Sequence, residues 1–433
     1  MIKIVFRNPI EVWDESAYRE PYVFNPNGMG GPLLVANDTD LIRHTFIEHA
    51  DSFKMSKVRQ LVLRPLLRDG LITAEGNIWK RARKTISPIF TPRHVQGFAN
   101  AIHSTTEAFA ERYGSASQPV DMSQDMTLLT FEILSACLFS NQIVGDPDTF
   151  VEQIEILFQT AGKIDPLDIV AAPAWMPRIS RLPCRKPLAY FRKLISDTVE
   201  LRKMKIAADE EIPDDFLSLL LQFEGGDGLS RDEIEDNVMS FIGAGHETTA
   251  RALCWTFYLL ARAPEEREKV EKEVKRVTAK IKNPAQWLDA MPYTKAVFEE
   301  VMRLYPPVSS ISREAMEDVQ WRDLTIKKGT QLFVIPWTIH RHRSNWEEPD
   351  AFNPSRFLPG NREKLHRYQY LPFGLGPRVC IGARFAMQEA AIVLGVLLSR
   401  YRFDMVADAP DPWPVQKMTT QPRDPLMMTS QRL

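Results

Sequence analysis

The segment around Cys380 combines residue types that suit a reactive sulfur beside a flat molecule. It reads FGLGPRVCIG over residues 373–382, and a long apolar run follows it directly. Glycines permit tight turns and a close approach of the backbone to a planar group. A helix beginning just after Cys380 would point its N-terminal amides at the sulfur, which favours a thiolate. Arg378 would supply a fixed cation for a carboxylate. We therefore expect a reactive thiolate rather than the inert buried thiol that is the usual state of a cysteine.

A second segment, GAGHETT over residues 243–249, places two glycines inside a sequence that otherwise favours a helix. Each interior glycine costs about 1 kcal/mol relative to alanine, so close packing against another helix or a function must compensate. The hydroxyl of Thr248 can donate to the carbonyl oxygen of Ala244, one turn back, and open the helix to dioxygen or water. Glu247 adds an acid beside it. The segment also begins an HExxH zinc pattern, but Ala250 occupies the second histidine position and excludes that site.

Two Glu-x-x-Arg pairs lie in different surroundings. Glu300 and Arg303 stand among apolar residues, so we expect both charges to meet on one buried helix face and to need further partners. Glu273 and Arg276 have the same spacing in a highly charged helix, where we expect a solvated pair. Spacing alone does not distinguish the two pairs, and the surrounding residues must do so.

These segments resemble motifs of the cytochrome P450 family. The run FGLGPRVCIG is similar to the haem-binding loop, which implies that Cys380 is the axial ligand of the haem iron and that Phe373 and Arg378 contact the haem. An axial thiolate pushes electron density onto iron and favours O–O cleavage. The run GAGHETT resembles the oxygen-binding kink, which implies that Thr248 hydrogen-bonds the dioxygen and that Glu247 takes part in a proton relay.

Three further matches extend the resemblance over residues 79–382. Residues 349–357 are similar to the family's PxxFxPxRF segment, which implies that Arg356 joins Glu300 and Arg303 in a structural triad. The resemblance also implies a haem b whose propionates are bound by cations and an indole N–H. The residues at the matching positions are Trp79, Arg83, Arg313 and Arg378.

Two helices must position these groups. The first opens at Ser230 with a capping box that includes Glu233, and it runs to Pro264, a length of roughly 50 Å. The second begins just after Cys380 and is apolar on nearly every face, so we expect it to be buried. Both helices carry the chemistry described above, one in its middle and the other at its N-terminus.

Outside these helices the pattern indicates a mainly α protein with a minor β region. Strand signals occur within residues 1–40 and 310–340, including Thr330–Trp337, and again after Tyr401. Residues 165–187 are rich in proline and indicate loop and short helix. The resemblance implies the cytochrome P450 fold, with the long central helix over a haem, in a single domain that spans residues 1–433.

Composition limits the partners. The 54 basic and 56 acidic side chains nearly balance, which argues against a nucleic-acid-binding protein. Four scattered cysteines are too few for a disulfide framework and indicate a reducing compartment. The N-terminal residues fit neither a signal peptide nor a membrane anchor. We therefore expect a soluble, cytoplasmic protein.

The expected function is a monooxygenase that inserts one oxygen atom from O2 into a lipophilic small molecule such as a terpenoid, steroid or fatty acid. By the resemblance, the substrate would lie against residues 55–76, 171–182, 241–244 and 309–312. Alternatives are a haem-thiolate peroxygenase, isomerase or dehydratase. A non-catalytic haem-binding sensor or an electron carrier would not need Glu247 and Thr248.

We find no phosphate-binding fingerprint for a flavin or nicotinamide, so electrons should come from a separate ferredoxin and its reductase. An acidic ferredoxin would need a basic face near the cysteine, although ordinary solvated charges are an equal alternative. The basic residues available for it are Lys80, Arg81, Lys84, Arg362, Lys364 and Arg367.

Overall fold

Helices make up most of this chain, for which a computed structural model describes residues 7–28, 31–114, 119–143, 147–161, 165, 167, 172–173, 176 and 178–433. We number the α-helices in chain order. They are α1 (Thr39–Arg43), α2 (Lys57–Leu67), α3 (Gly76–Ile86), α4 (Pro92–Gly97), α5 (Ala99–Gly114), α6 (Met122–Phe139), α7 (Pro147–Ala161), α8 (Arg185–Ala207), α9 (Phe216–Leu221), α10 (Arg231–Arg262), α11 (Pro264–Lys280), α12 (Trp287–Ala290), α13 (Pro292–Leu304), α14 (Pro336–Ile339) and α15 (Ala383–Arg400).

The strands are short and belong to small sheets. They are β1 (Tyr22–Asn25), β2 (Leu33–Ala36), β3 (Phe53–Met55), β4 (Val120–Asp121), β5 (Ile311–Ala315), β6 (Val319–Trp321), β7 (Leu324–Ile326), β8 (Gln331–Val334), β9 (Tyr401–Met405), β10 (Pro414–Gln416), β11 (Thr420–Pro422) and β12 (Met427–Arg432). The largest sheet has the order β1-β2-β8-β5-β3 and is parallel only between β2 and β8. It joins the N-terminal region to residues 311–334, as the strand signals predict. The chain is therefore mainly α with a minor β region.

The long helix α10 begins where its capping chemistry predicts. Ser230 accepts a hydrogen bond from the backbone of Glu233, and Glu233 accepts one from the backbone of Ser230, which satisfies two N-terminal amides. The helix continues without a break to Arg262, and α6 packs along it. Helix α10 therefore runs through the main hydrophobic core, which also includes α5, α13 and α15.

The prediction for the apolar second helix is also confirmed. Helix α15 begins at Ala383, with Gly382 as its N-cap, and its middle from Gln388 to Leu398 is buried. A separate apolar cluster lies around the large sheet and includes Leu375 of the cysteine segment. Among the residues that the structure describes, no helix is both long enough and apolar enough to cross a lipid bilayer.

Two local expectations are wrong. The strand predicted over Thr330–Trp337 ends at Val334, because Pro336 begins the short helix α14 and a proline at that position cannot donate to a sheet. Glu273 is buried rather than solvated with Arg276. Its carboxylate accepts hydrogen bonds from the amide of Tyr293 at 3.0 Å and the amide of Thr294 at 2.7 Å, so it caps the start of α13.

Candidate active site

A cavity of about 340 Å³ lies between the middle of α10 and the segment that contains Cys380. Most of its wall is apolar and comes from parts of the chain that are distant in sequence. The apolar wall includes Leu71, Ile72, Phe90, Leu134, Leu138, Phe216, Phe241, Phe298, Val308 and Ile311. Three of the four expected substrate segments contribute to the lining: residues 55–76, 241–244 and 309–312. In the fourth, 171–182, no described residue lines the cavity, and positions 171, 174, 175 and 177 lie outside the described residues.

The cysteine segment is held in a fixed turn. The amide of Cys380 donates to the carbonyl oxygen of Phe373 at 2.8 Å, and Gly376 adopts the left-handed conformation with φ +67°. A β-carbon at Gly376 would lie 2.4 Å from the carbonyl oxygen of Phe46, so only glycine fits there. Cys380 lies at the cavity wall three residues before α15 begins. The backbone therefore presents the sulfur to the cavity at the N-terminal end of a buried helix.

The electrostatic surroundings of Cys380 correct part of the sequence-based expectation. Burial raises the pKa of the Cys380 thiol, and this effect is opposed by the backbone amide of Gly382 and by the cation of Arg83. The amide of Gly382 next to the helix start lowers the pKa in the expected direction, and desolvation of the sulfur acts against it. A thiolate at this position consequently needs a cation as its partner.

Four arginines line the cavity: Arg59, Arg83, Arg313 and Arg378. Burial, together with repulsion by Arg59 and Arg378, lowers the pKa of Arg313 to about 10. Burial and Arg378 also lower the pKa of Arg59. Clustered cations that destabilise one another in this way indicate that the site suits an anion.

One carboxylate opposes this cluster. Glu75 lies 2.8 Å from Nη2 of Arg378, and Arg378 also stacks over the ring of Trp79, 4.4 Å from its centre. The other nitrogen, Nη1 of Arg378, is buried and has no hydrogen-bond partner among the described residues. Sequence reasoning missed both Glu75 and Arg59, since neither belongs to a motif. Three of the four arginines, and Trp79, were predicted.

The residues present fit a haem. Four arginines and one glutamate leave an excess of three positive charges, which the three negative charges of two propionates and a thiolate would balance. The unpaired Nη1 of Arg378 offers a donor for a propionate, and the glycine turn lets the backbone approach a flat ring. Phe373 lines the same wall. The residues that would hold the group are Cys380, Phe373, Arg378, Arg313, Arg83, Arg59 and Trp79.

On the opposite wall, α10 shows the predicted threonine bond. The hydroxyl of Thr248 donates to the carbonyl oxygen of Ala244 at 2.8 Å, and both residues line the cavity. The glycine at 245 has a packing reason, because a β-carbon there would lie 3.2 Å from Leu134 of α6. Close packing and a cavity-facing hydroxyl therefore both account for this segment.

The side chain of Glu247 points away from the cavity. It does not line the cavity, since successive residues of a helix are about 100° apart and Thr248 takes the cavity side. Its carboxylate is buried and accepts a hydrogen bond from the hydroxyl of Thr419 at 2.8 Å. Burial raises the pKa of Glu247, and Arg251, Thr419 and Lys417 oppose that effect. Thr419 was not found by sequence reasoning.

A second buried acid, Glu389 of α15, lies near the cavity. Burial raises its pKa to about 8, and a hydrogen bond with Thr249, which lines the cavity, opposes the effect. The atom Oε2 of Glu389 has no hydrogen-bond partner in the described part of the chain. No motif pointed to this residue, and a single acid inside a long apolar run is the signal that could have done so.

The structural triad forms as its residues predict. Arg303 binds Glu300 through two hydrogen bonds, and Nε of Arg356 lies 3.5 Å from Oε1 of Glu300. Arg303 also donates to the carbonyl oxygens of His340, Pro349 and Ala351. The cation thereby joins α13 to the loop before Arg356. None of the three triad residues lines the cavity.

This arrangement of a long helix over a cavity, with an arginine cluster and one cysteine opposite, is that of a haem-thiolate protein. The chain matches the family model described as Cytochrome P450 over residues 16–429. The chain therefore belongs to the cytochrome P450 family. It is a haem-thiolate monooxygenase.

The chain is also similar to named relatives, and it shares its fold with a solved structure. Cytokinin hydroxylase of Arabidopsis thaliana is 29% identical over 379 residues, covering 86% of this chain and 73% of the relative. Cyclooctatin synthase of Streptomyces melanosporofaciens is 30% identical over 345 residues, covering 78% of this chain and 74% of the relative. The crystal structure of the cytochrome P450DA haem domain is similar with a TM-score of 0.83 and 23% identity, covering 96% of this chain and 90% of that chain.

Proposed function

We propose that the protein hydroxylates an uncharged lipophilic molecule, and that Cys380 would hold the iron of a haem b. The single observation that carries this proposal is that Cys380 lines an arginine-lined cavity to which α10 also presents Thr248. When bound there, a haem-thiolate supplies dioxygen activation. The protein then has to bind the substrate, exclude water and deliver protons.

Each of these tasks has candidate residues. Arg313, Arg378, Arg83 and Trp79 would fix the propionates, and Phe373 would pack against the ring. Apolar side chains from α6, α9 and α10 would exclude water from the substrate, because they offer it no hydrogen-bond partner. Thr248 would hold a proton near the reacting oxygen, and Glu247 would carry protons from the outer side of α10.

The proposed substrate is uncharged because of where the charges lie. Two propionates, a thiolate and Glu75 would balance the four arginines, and the rest of the cavity wall is mainly apolar, with Phe90, Leu134 and Phe241 among its residues. A charged substrate would lose its hydration there without gaining a partner. Matched pairs of carboxylic acids and their methyl esters test this point through spin-state shifts. Tighter binding of the acids, lost again in Arg59→Met, would contradict an uncharged substrate.

We further propose a single domain over residues 1–433, a cytoplasmic location and electron supply by a separate ferredoxin. All four cysteines are free, which suits a reducing compartment. The basic side chains are less available than expected, because Lys80 lies 3.6 Å from Asp51, Arg81 pairs with Glu233 and Arg362 lies 3.3 Å from Glu299. A basic docking face would therefore depend on the remaining cations, Lys84, Lys364 and Arg367.

The decisive experiment is the absorption spectrum of the reduced, carbon-monoxide-bound protein. The wild type should give the thiolate-type spectrum, and Cys380→Ser should lose it. Cys254→Ser is the matched control, since this thiol is fully buried on α10 and does not line the cavity. A thiolate-type spectrum that persists in Cys380→Ser would refute the assignment of the ligand.

A peroxygenase, isomerase or dehydratase remains the second candidate function. It differs from the monooxygenase because it needs neither reductant nor dioxygen. Product formation that requires both, with an added ferredoxin and reductase, supports the monooxygenase. Product formed without reductant would favour one of the alternatives.

A further inference from the structure

The hairpin formed by β10 and β11 touches α10 at Trp255, which does not line the cavity. The indole N–H of Trp255 donates to the carbonyl oxygen of Thr420 at 3.1 Å. The amide of Thr420 donates to the carbonyl oxygen of Pro307 at 2.9 Å. The hydroxyl of Thr420 donates to the carbonyl oxygen of Pro306 at 2.7 Å. The turn of the hairpin is thus fixed against α10 and against the end of α13.

One hydroxyl of that turn forms a hydrogen bond with Glu247. Thr419, which is 4% exposed, donates to a carboxylate that is itself 5% exposed. Two cations act on the same carboxylate: Arg251, whose Nε lies 3.9 Å from Oε1, and Lys417 of the turn. Lys417 is exposed, so the turn connects a buried acid with solvent.

Glu247 and Thr248 are neighbours in sequence but face different sides of α10. The carboxylate can reach the cavity side only when its side chain rotates away from Thr419. A hydroxyl that donates to an ionised carboxylate favours the charged form and therefore lowers its proton affinity. Alongside burial and Arg251, this hydrogen bond therefore acts on both the protonation of Glu247 and the ease of its rotation.

We infer that Thr419 is a positioning residue that holds the buried Glu247 away from the cavity, so that the β10–β11 turn controls proton supply to the cavity. This inference rests on the proposed role of Glu247 in proton transfer. It assigns to a segment more than 150 residues further along the chain a function that no motif in it indicates.

The test compares Thr419→Val, which keeps the shape and loses the hydroxyl, with Thr419→Ser, which keeps the hydroxyl. Infrared difference spectra recorded against pH follow the carboxyl band of Glu247, which is assigned by its loss in Glu247→Gln. Thr419→Val should raise the proton affinity of Glu247 about 10- to 100-fold, since a hydrogen bond to a charged group is lost. Thr419→Ser should restore the wild-type titration.

Thr420→Val is the control for the packing of the hairpin, because it removes a neighbouring hydroxyl that bonds to Pro306 and Gln416 rather than to Glu247. It should leave the titration of Glu247 unchanged. An unchanged titration in Thr419→Val, or an equal shift in Thr420→Val, would overturn the inference.

A second measurement addresses the proton supply itself. The amount of product formed per reductant consumed should fall as pH rises through the pKa of Glu247, because the proton donor is then ionised. In Thr419→Val that fall should move to higher pH by the same interval as the infrared titration. If the infrared titration shifts but the pH dependence of product formed per reductant does not, the turn does not control proton supply to the cavity. The infrared result does not depend on turnover, so it stays informative even where the proposed reaction fails.

Discussion

Arg303 binds Glu300 through both nitrogens of one edge of its guanidinium, from Nε to Oε2 at 2.7 Å and from Nη2 to Oε1 at 2.8 Å, and both side chains are completely buried. Arg303→Ala should therefore lower the free energy of unfolding by about 3–5 kcal/mol, because Glu300 stays buried without its main partner. Urea unfolding measures this loss. Arg276→Ala, at an exposed position, should change it by less than about 0.5 kcal/mol. Similar losses in the two variants would be incompatible with a buried, desolvated pair.

Thr248→Ala should uncouple the reaction. The substitution removes the one cavity-facing hydroxyl that bonds to Ala244, so product formed per reductant should fall at least about 10-fold. Thr278→Ala is the control, because its hydroxyl makes the same bond one turn back, to Val274, on a helix remote from the cavity. Coupling is measured as product formed against reductant consumed. Full coupling in Thr248→Ala would favour a peroxygenase or isomerase.

Gly376→Ala should disrupt the cysteine turn. Its β-carbon would meet the carbonyl oxygen of Phe46 at 2.4 Å, in addition to the strain of a φ of +67°. Gly360→Ala carries only the strain, because nothing lies within 4 Å of its β-carbon, and it should cost about 1–2 kcal/mol. We expect Gly376→Ala to lose more stability and to bind less haem per chain, as measured by unfolding and by absorption. Equal losses in both variants would show that the contact with Phe46 is relieved at no cost.

Glu389 should make stability depend on pH. Its pKa is raised from 4.5 to about 8 in the folded protein, so the folded state binds the extra proton between these values. Stability therefore falls as pH rises through this window, by about 1.4 kcal/mol per pH unit at most. Glu389→Gln should remove this slope, whereas Glu265→Gln, at an exposed position, should keep it. Unfolding curves recorded from pH 5 to pH 8 test this, and an unchanged slope in Glu389→Gln would assign the effect to other groups.

Local chemistry made part of the structure predictable. The start of α10 follows from the capping box of Ser230 and Glu233, and the position of α15 follows from an apolar run that begins beside Cys380. The bond from Thr248 to Ala244 is likewise fixed by helix geometry, because residues four apart face one another. The Glu300–Arg303 pair was predictable from its apolar neighbours.

What the sequence could not predict arises from contacts between distant segments. Glu273 was expected to be solvated because its own helix is highly charged, but α13 folds over it and supplies two amides. Glu75, which pairs with Arg378, and Thr419, which bonds to Glu247, both come from segments without a motif. The pKa of Cys380 depends on burial by the whole fold, which a local pattern of glycines and a helix start does not report.

The turn around Gly376 rests on Phe46, and Arg378 rests on Glu75 and Trp79, so the cysteine segment is built on residues from the first fifth of the chain. During synthesis the ribosome releases Arg59 and Arg83 long before it reaches Cys380. The arginine cluster can therefore assemble only after Arg378 has been translated and the two ends of the site have folded together. Binding of a haem through both the cysteine and the early arginines consequently belongs to a late stage of folding.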